Sequence, residues 1–287
     1  MAENLPQSEP FTGRAGHLSP AQCETLKALK EHLVATEPLY KAELYDDYYL
    51  LRFLRARKFD LQKTLLMFTN YLKWRVEFKV DELVATFQFP EQDQVHEIYP
   101  KYYHKVGKEG HPVYIEVLGK LNVKKLQQVT TIERILQNHV VEYEKLLRVR
   151  FPACTKAAAP VDGGGGKAVV IDSSITILDL HGVGLMQFAQ VLGFIKQISS
   201  IAQNYYPEGL LKMFIINSPF LFSTCWSAIK PLLDEHTLSK ITLVGSKYED
   251  LLLDVIDPGN LPKQFGGQCE CPLGCDKSDA GPWNGEK

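Results

Sequence analysis

Four cations lie among large apolar residues in Leu50-Leu51-Arg52-Phe53-Leu54-Arg55-Ala56-Arg57-Lys58-Phe59-Asp60. One reading is a helix end whose last turn carries positive charge to offset the backbone dipole. The other is an anion site, since two or three such side chains can converge on a single phosphate. A second group is aromatic: Tyr102, Tyr103, Tyr114 and Tyr143 flank the start of the β-rich half of the chain. Singly these are ordinary packers with a polar tip, but together their ring faces can box a quaternary ammonium. A third is the run Ser218-Pro219-Phe220-Leu221-Phe222-Ser223-Thr224-Cys225-Trp226-Ser227-Ala228-Ile229-Lys230. Ser-Pro is a helix start, and Phe222, Cys225, Trp226, Ile229, Leu232 and Leu233 form an apolar stripe. Such a stripe suits either a core helix or one lying in the headgroup boundary of a bilayer.

Other groups are less persuasive. Cys269-Glu270-Cys271-Pro272-Leu273-Gly274-Cys275 offers three thiols, but no fourth ligand lies nearby in the sequence and a structural zinc site takes four. The stretch is therefore read as a disordered, thiol-containing tail without a metal, and all the cysteines as free thiols. The four glycines at 163 to 166, within Ala157 to Lys167, suggest a phosphate loop. They follow a helix and lead into a strand, the reverse of a nucleotide loop, so a flexible connection is expected. The sequence contains no Gly-x-Ser-x-Gly, His-Glu-x-x-His or Gly-x-x-x-x-Gly-Lys-Ser/Thr motif, and a non-enzymatic role is expected.

The elements that must position these groups follow from composition and periodicity. With 45% hydrophobic residues in 287, the chain can bury one large domain and a smaller partner. A net charge of -2 gives no global field for nucleic acid, so any anionic partner must be held by a local patch. The polar, acidic start is not a secretory signal, and no run approaches the roughly 20 apolar residues of a spanning helix, so a cytoplasmic protein is expected.

Residues 1–17 have no periodicity and are expected to be disordered. Ser19-Pro20 opens a helical module over 18–88, where Tyr49, Leu50, Phe53, Leu54, Leu61, Leu65, Phe68, Tyr71 and Leu72 recur at helical spacing. From about residue 110, short β-rich runs alternate with amphipathic helices. The strand candidates are Val113 to Leu118, part of Ala168 to Leu180, Met213 to Asn217 and Ile241 to Val244. This is the grammar of an α/β fold with a largely parallel sheet and crossover helices, here over 89–268, with a tail at 269–287.

Several stretches together resemble the CRAL-TRIO lipid-binding family, over roughly residues 20 to 268. They are Leu50 to Asp60, Tyr99-Pro100-Lys101-Tyr102-Tyr103-His104-Lys105, Gln203-Asn204-Tyr205-Tyr206-Pro207-Glu208, the Asn217 to Thr224 run, and Leu261-Pro262-Lys263-Gln264-Phe265-Gly266-Gly267. The resemblance implies a sheet that floors a lipid pocket, closed by a gate helix carrying Phe220, Phe222, Trp226 and Ile229. It implies an inositol phosphate held by Arg57, Lys58, Glu208, Thr237 and Lys240, and a choline headgroup held by Tyr103, Tyr114, Tyr143, Ser174 and Thr176.

The presence of both sets implies phosphatidylinositol or phosphatidylcholine as ligand, with no cofactor. A monomer that touches bilayers transiently, on Golgi or endosomal membranes, is the expected setting, with presentation of phosphatidylinositol to a kinase as one outcome. Two other readings stay open: a hydrophobic-ligand sensor regulating a partner, and an α/β enzyme acting on lipid.

Overall fold

A computed structural model describes residues 12–158, 170–219 and 222–285. The chain divides into two compact units, Met1–Lys79 with Asn204–Glu208, and Val80–Gln203 with Gly209–Lys287. The glycine-rich stretch at 163–166 and Phe220 lie outside the described residues.

The first unit is built on α1 (Pro20–Thr36), α2 (Asp47–Ala56) and α3 (Leu61–Glu77). Each starts where the sequence offers a cap. Ser19 and Gln22 form a reciprocal capping box ahead of Pro20, while Asp46 and Asp60 accept from the backbone of Tyr49 and Lys63. The apolar positions at three- and four-residue spacing, among them Leu50, Phe53 and Leu54 of α2 and Phe68, Tyr71 and Leu72 of α3, are buried. Phe53 meets Phe68 edge to face at 4.9 Å. At the end of α3, Trp74 stacks on Tyr205 with ring centres 4.0 Å apart, which ties the distant segment 204–208 into this unit. Residues 12–17 are not disordered as expected. The N–H of His17 donates to the Arg14 carbonyl at 2.9 Å, and Gly13 sits so close to the Phe59 ring that an added Cβ would lie 2.9 Å from it.

The second unit runs through α4 (Val80–Thr86), α5 (Gln92–Ile98), β1 (Lys101–Val106), β2 (Pro112–Val117), α6 (Val123–Val129) and α7 (Ile132–Lys145). A π-helical turn, Leu146–Arg150, joins α7 to α8 (Phe151–Ala158). There follow β3 (Ser174–Asp179), α9 (Leu185–Tyr205), whose last residues belong to the first unit, β4 (Leu210–Ile216), α10 (Phe222–Ile229), α11 (Glu235–Ser239), β5 (Ile241–Leu243) and α12 (Glu249–Val255). Among the described residues the sheet order is β1-β2-β3-β4-β5, with only β1 antiparallel to its neighbour. All four strand candidates are present. The additional β1 was not legible because Lys-Tyr-Tyr-His-Lys-Val carries little apolar signal; pairing with β2 makes it a strand.

Alternation gives the sheet two different faces. Val113, Ile115, Ile175, Ile177, Phe214 and Ile216 form one apolar face, covered by Tyr248, Leu252, Ile256, Leu261 and Phe265. The opposite face carries Tyr114 and Glu116 on β2, Ser174, Thr176 and Leu178 on β3, and Met213 and Ile215 on β4.

Residues 269–285 correct the expectation of a disordered tail. The N–H of Lys105 on β1 donates to the Ala280 carbonyl at 2.6 Å, and the Trp283 indole N–H donates to the Asp279 carbonyl at 2.9 Å. The strand that anchors this segment lies more than a hundred residues earlier, so local composition could not reveal the contact. The expectation of no metal-ligand set is corrected with it, because the fold brings His104 to Cys269, 165 residues away in sequence.

Candidate functional site

Three of the five residues expected to hold a choline headgroup stand in one row across the sheet. Tyr103 pairs with Tyr114 in the antiparallel register, and Tyr114 pairs with Thr176 in the parallel one. Their side chains therefore share a face, and the Tyr103 and Tyr114 rings lie 5.0 Å apart. Ser174, two residues before Thr176, falls on the same face, with its hydroxyl donating to the Gly209 carbonyl at 3.1 Å. Tyr143 approaches from α7. It packs against the same apolar cluster as Tyr103, and its ring meets His139 edge-on at 4.8 Å.

Polar side chains that sequence reasoning missed surround this row. Glu116 accepts a hydrogen bond from the Tyr99 hydroxyl and another, at 3.3 Å, from that of Tyr114; it stands opposite Lys101 in the β1–β2 register. The strict alternation Val113-Tyr114-Ile115-Glu116-Val117 was the available signal, since it places Glu116 beside Tyr114. Arg150 is buried, with its guanidinium 4.2 Å from the centre of the Tyr103 ring and within 3.0 Å of Glu142.

Burial sets the charge states here. It pushes the Tyr99, Tyr103 and Tyr114 phenols well above their ordinary range, and Glu116 adds to the rise at Tyr99 and Tyr114. It lowers Lys101, against the pull of Glu116 and Glu142. It takes His139 down to about 3, with a smaller contribution from the Lys101 charge. His139 is thus neutral at physiological pH, and its buried Nε2 has no hydrogen-bond partner among the described residues. Neutral phenol faces beside an orphaned ring nitrogen and two hydroxyls can receive an organic cation together with an attached oxyanion.

Along the same face the chemistry turns apolar. Leu178, Met213 and Ile215 join a cluster that contains Phe222 and Ile229 of α10, with Trp226 packed against it. The expected gate residues within the described set therefore lie over the apolar end of the sheet.

The expected inositol-phosphate residues fall in both units. In the first, Arg57 caps α2 and lines a surface cleft with Lys63, Lys73, Trp74, Asn204 and Tyr205, while Lys58 is exposed. Lys58 and Glu208 both hold left-handed backbone, at φ +52° and +59°, a conformation that costs a residue with a Cβ and concentrates at functional positions. In the second, the Thr237 hydroxyl donates to Asp234 at 2.7 Å and Lys240 ends α11.

Comparison with known proteins agrees with this architecture. Residues 96–267 match the CRAL/TRIO domain and residues 25–70 the CRAL/TRIO N-terminal domain. The chain is 46% identical to the Sec14 cytosolic factor of Schizosaccharomyces pombe, over all of this chain and 98% of that one. It is 44% identical to the SEC14 cytosolic factor of Kluyveromyces lactis, over all of this chain and 93% of that protein. A phosphatidylinositol/phosphatidylcholine transfer protein of Arabidopsis thaliana, SFH4, is 49% identical over 83% of this chain and 38% of its own length. The crystal structure of Sfh5 shares the fold, with a TM-score of 0.66 at 18% identity over 91% of this chain and 89% of that one. No helix among the described residues is long and apolar enough to cross a membrane. With both domain models matched and two relatives aligned along its whole length, the chain belongs to the CRAL/TRIO family.

Proposed function

We propose that this protein binds single phosphatidylinositol and phosphatidylcholine molecules and exchanges them at membrane surfaces, without catalysing a reaction. The observation that carries the reading is the two-part face of the sheet: the Tyr103–Tyr114–Thr176 row at one end, and Leu178, Met213 and Ile215 at the other. A phospholipid has the same two-part character. The naming of relatives as Sec14 cytosolic factors and as a phosphatidylinositol/phosphatidylcholine transfer protein supports it further.

The physical need for such a protein is large. About 30 methylenes at ~0.8 kcal/mol each make escape of a phospholipid into water cost on the order of 20 kcal/mol. An apolar chamber that opens only against a bilayer replaces that cost with a conformational step. Tyr103, Tyr114 and Tyr143 offer ring faces to the choline, while Ser174, Thr176 and the unpartnered His139 Nε2 suit its phosphate. Arg57, Lys58, Glu208, Thr237 and Lys240 are assigned to the inositol phosphate by the family resemblance, residue by residue. α10, with Phe222, Trp226 and Ile229, acts as the gate. Competition of the two lipids for one acyl chamber would deliver phosphatidylinositol to Golgi or endosomal membranes, within reach of a phosphatidylinositol kinase, and so support secretory trafficking.

Transfer of labelled lipids between vesicles by the purified full chain tests this. Ser174→Ile with Thr176→Ile is expected to lower phosphatidylcholine transfer at least tenfold and spare phosphatidylinositol; Arg57→Ala with Thr237→Asp should do the reverse. Exchange no faster than in protein-free vesicles, or equal loss of both lipids in each folded variant, would overturn the assignment.

A further inference from the structure

We infer that His104, Cys269, Cys271 and Cys275 form a structural zinc site that fastens the C-terminal segment to strand β1. The four ligand atoms lie within 4.8 Å of one another. A tetrahedral zinc with Zn–S of about 2.3 Å and Zn–N of about 2.0 Å requires S···S edges of about 3.8 Å and N···S edges of about 3.5 Å. The cluster shows 3.9 Å between the Cys269 and Cys271 sulfurs and 3.4 Å between His104 Nε2 and Cys269 Sγ. Both values are edges of that tetrahedron, and the sulfur pair is too far apart for a covalent bond.

The surroundings prepare each ligand. Ser278 Oγ donates to the Cys275 carbonyl at 3.0 Å, which leaves its lone pairs to accept from His104 Nδ1 at 3.1 Å. That bond places the imidazole proton on Nδ1 and turns the bare Nε2 toward the thiols, the second-layer arrangement usual for a zinc-bound histidine. Cys269 is fixed by its own N–H donating to the Leu261 carbonyl at 3.0 Å and by its carbonyl accepting from Lys263 at 3.1 Å. Gly274 adopts φ +91°, and its N–H donates to the Cys271 carbonyl at 2.9 Å, closing the turn that brings Cys275 back. His104 and Cys269 are buried while Cys271 and Cys275 are partly open, so the cluster has a dry floor and an entry path.

Three thiols and one imidazole select a thiophilic, tetrahedral ion, and a divalent cation supplies the charge that three closely spaced thiolates need. The order of ligands along the chain accounts for its invisibility in sequence, since one stands in β1 and three in the last twenty residues. Closing so long a loop removes conformational freedom from the unfolded chain, which adds to the stability of the docked segment. The segment also carries Asp279, 3.4 Å from Arg150, and Trp283, whose ring lies 5.7 Å from the same guanidinium. The clip therefore holds the element that backs Tyr103. The zinc assignment does not depend on the lipid-transfer reading.

The test is metal analysis of the full chain purified under reducing conditions without chelator. About one zinc per chain is expected, falling below about a tenth in Cys271→Ser with Cys275→Ser and unchanged in Cys23→Ser. Cobalt added to the metal-stripped wild-type chain checks the same site without a variant. Thiolate-to-cobalt charge-transfer bands with tetrahedral d–d bands support it, whereas absence of zinc together with absence of those bands overturns it. Mass-spectrometric detection of a disulfide among these cysteines in metal-free protein isolated anaerobically would also overturn it.

Discussion

The guanidinium of Arg150 lies 4.2 Å from the centre of the Tyr103 ring, so that phenol already carries a fixed cation on its π-system. A quaternary ammonium bound as proposed would have to share the ring with it. Tyr114, whose ring is 5.0 Å from that of Tyr103, is then the aromatic wall with more of its attraction to spare.

Arg150→Met should lower stability by about 2 kcal/mol, read from urea unfolding. The change leaves Glu142 and Asp279 without their buried partner, but both carboxylates keep some access to water, which softens the loss. Arg150→Lys should rescue little, because a point charge cannot stack on Tyr103 and Trp283 as the planar fork does.

Trp74→Ala should cost about 3 kcal/mol, since it removes a buried ring stacked on Tyr205 and edge-on to Tyr206. Amide exchange in residues 204–208 should accelerate more than in α1, whose core contacts lie at Leu26, Leu29 and Leu33. Equal acceleration in both places would contradict the role given to the stack.

Acid should destabilise the fold in two windows. His139 is held down to about 3 by burial, so below about pH 6.5 the unfolded chain takes up a proton that the native state refuses. Its contribution is fully present above that pH and lost progressively toward 3. The Glu91 carboxyl, held at about 2 chiefly by its hydrogen bond with Arg134, contributes above its ordinary value of 4.5 and loses that contribution as pH falls through 2. His139→Phe should flatten the upper window and leave the lower one; unfolding midpoints measured from pH 7.5 to 2 check both. The ring protons of His139 should not shift between pH 7.5 and 5 in NMR spectra.

Trp226→Lys should slow lipid transfer about tenfold while lowering stability by less than about 1 kcal/mol, because this partly buried ring sits at the margin of the α10 cluster. Vesicle transfer and denaturation measured on one preparation separate the two effects. Loss of stability in proportion to loss of transfer would assign Trp226 to the core alone.

Local signals were legible wherever the cause was local. Ser19-Pro20 gave the start of α1, the three- and four-residue steps gave α2 and α3, and β-branched runs gave four of five strands. Tyr103, Tyr114 and Tyr143 were anticipated together, but Tyr102, grouped with them in the sequence, pairs with Ile115 and packs on the opposite face, because strand register, which the sequence does not print, decides the side. What escaped notice was held by distant partners. β1 is weakly apolar and exists through its pairing with β2. Nothing in the sequence pairs Lys101 with Glu116 until the register sets them opposite each other. His104 looks like one more residue of a polar strand until Cys269 arrives beside it.

The stack of Trp74 on Tyr205 has a consequence for synthesis on the ribosome. Helices α1 to α3 are finished early, yet the Trp74 ring waits for a partner made about 130 residues later, a delay on the order of ten seconds at typical elongation rates. During that interval Trp74 is open to water or to a chaperone, and the N-terminal helices cut out at Lys79 would carry the same uncovered ring.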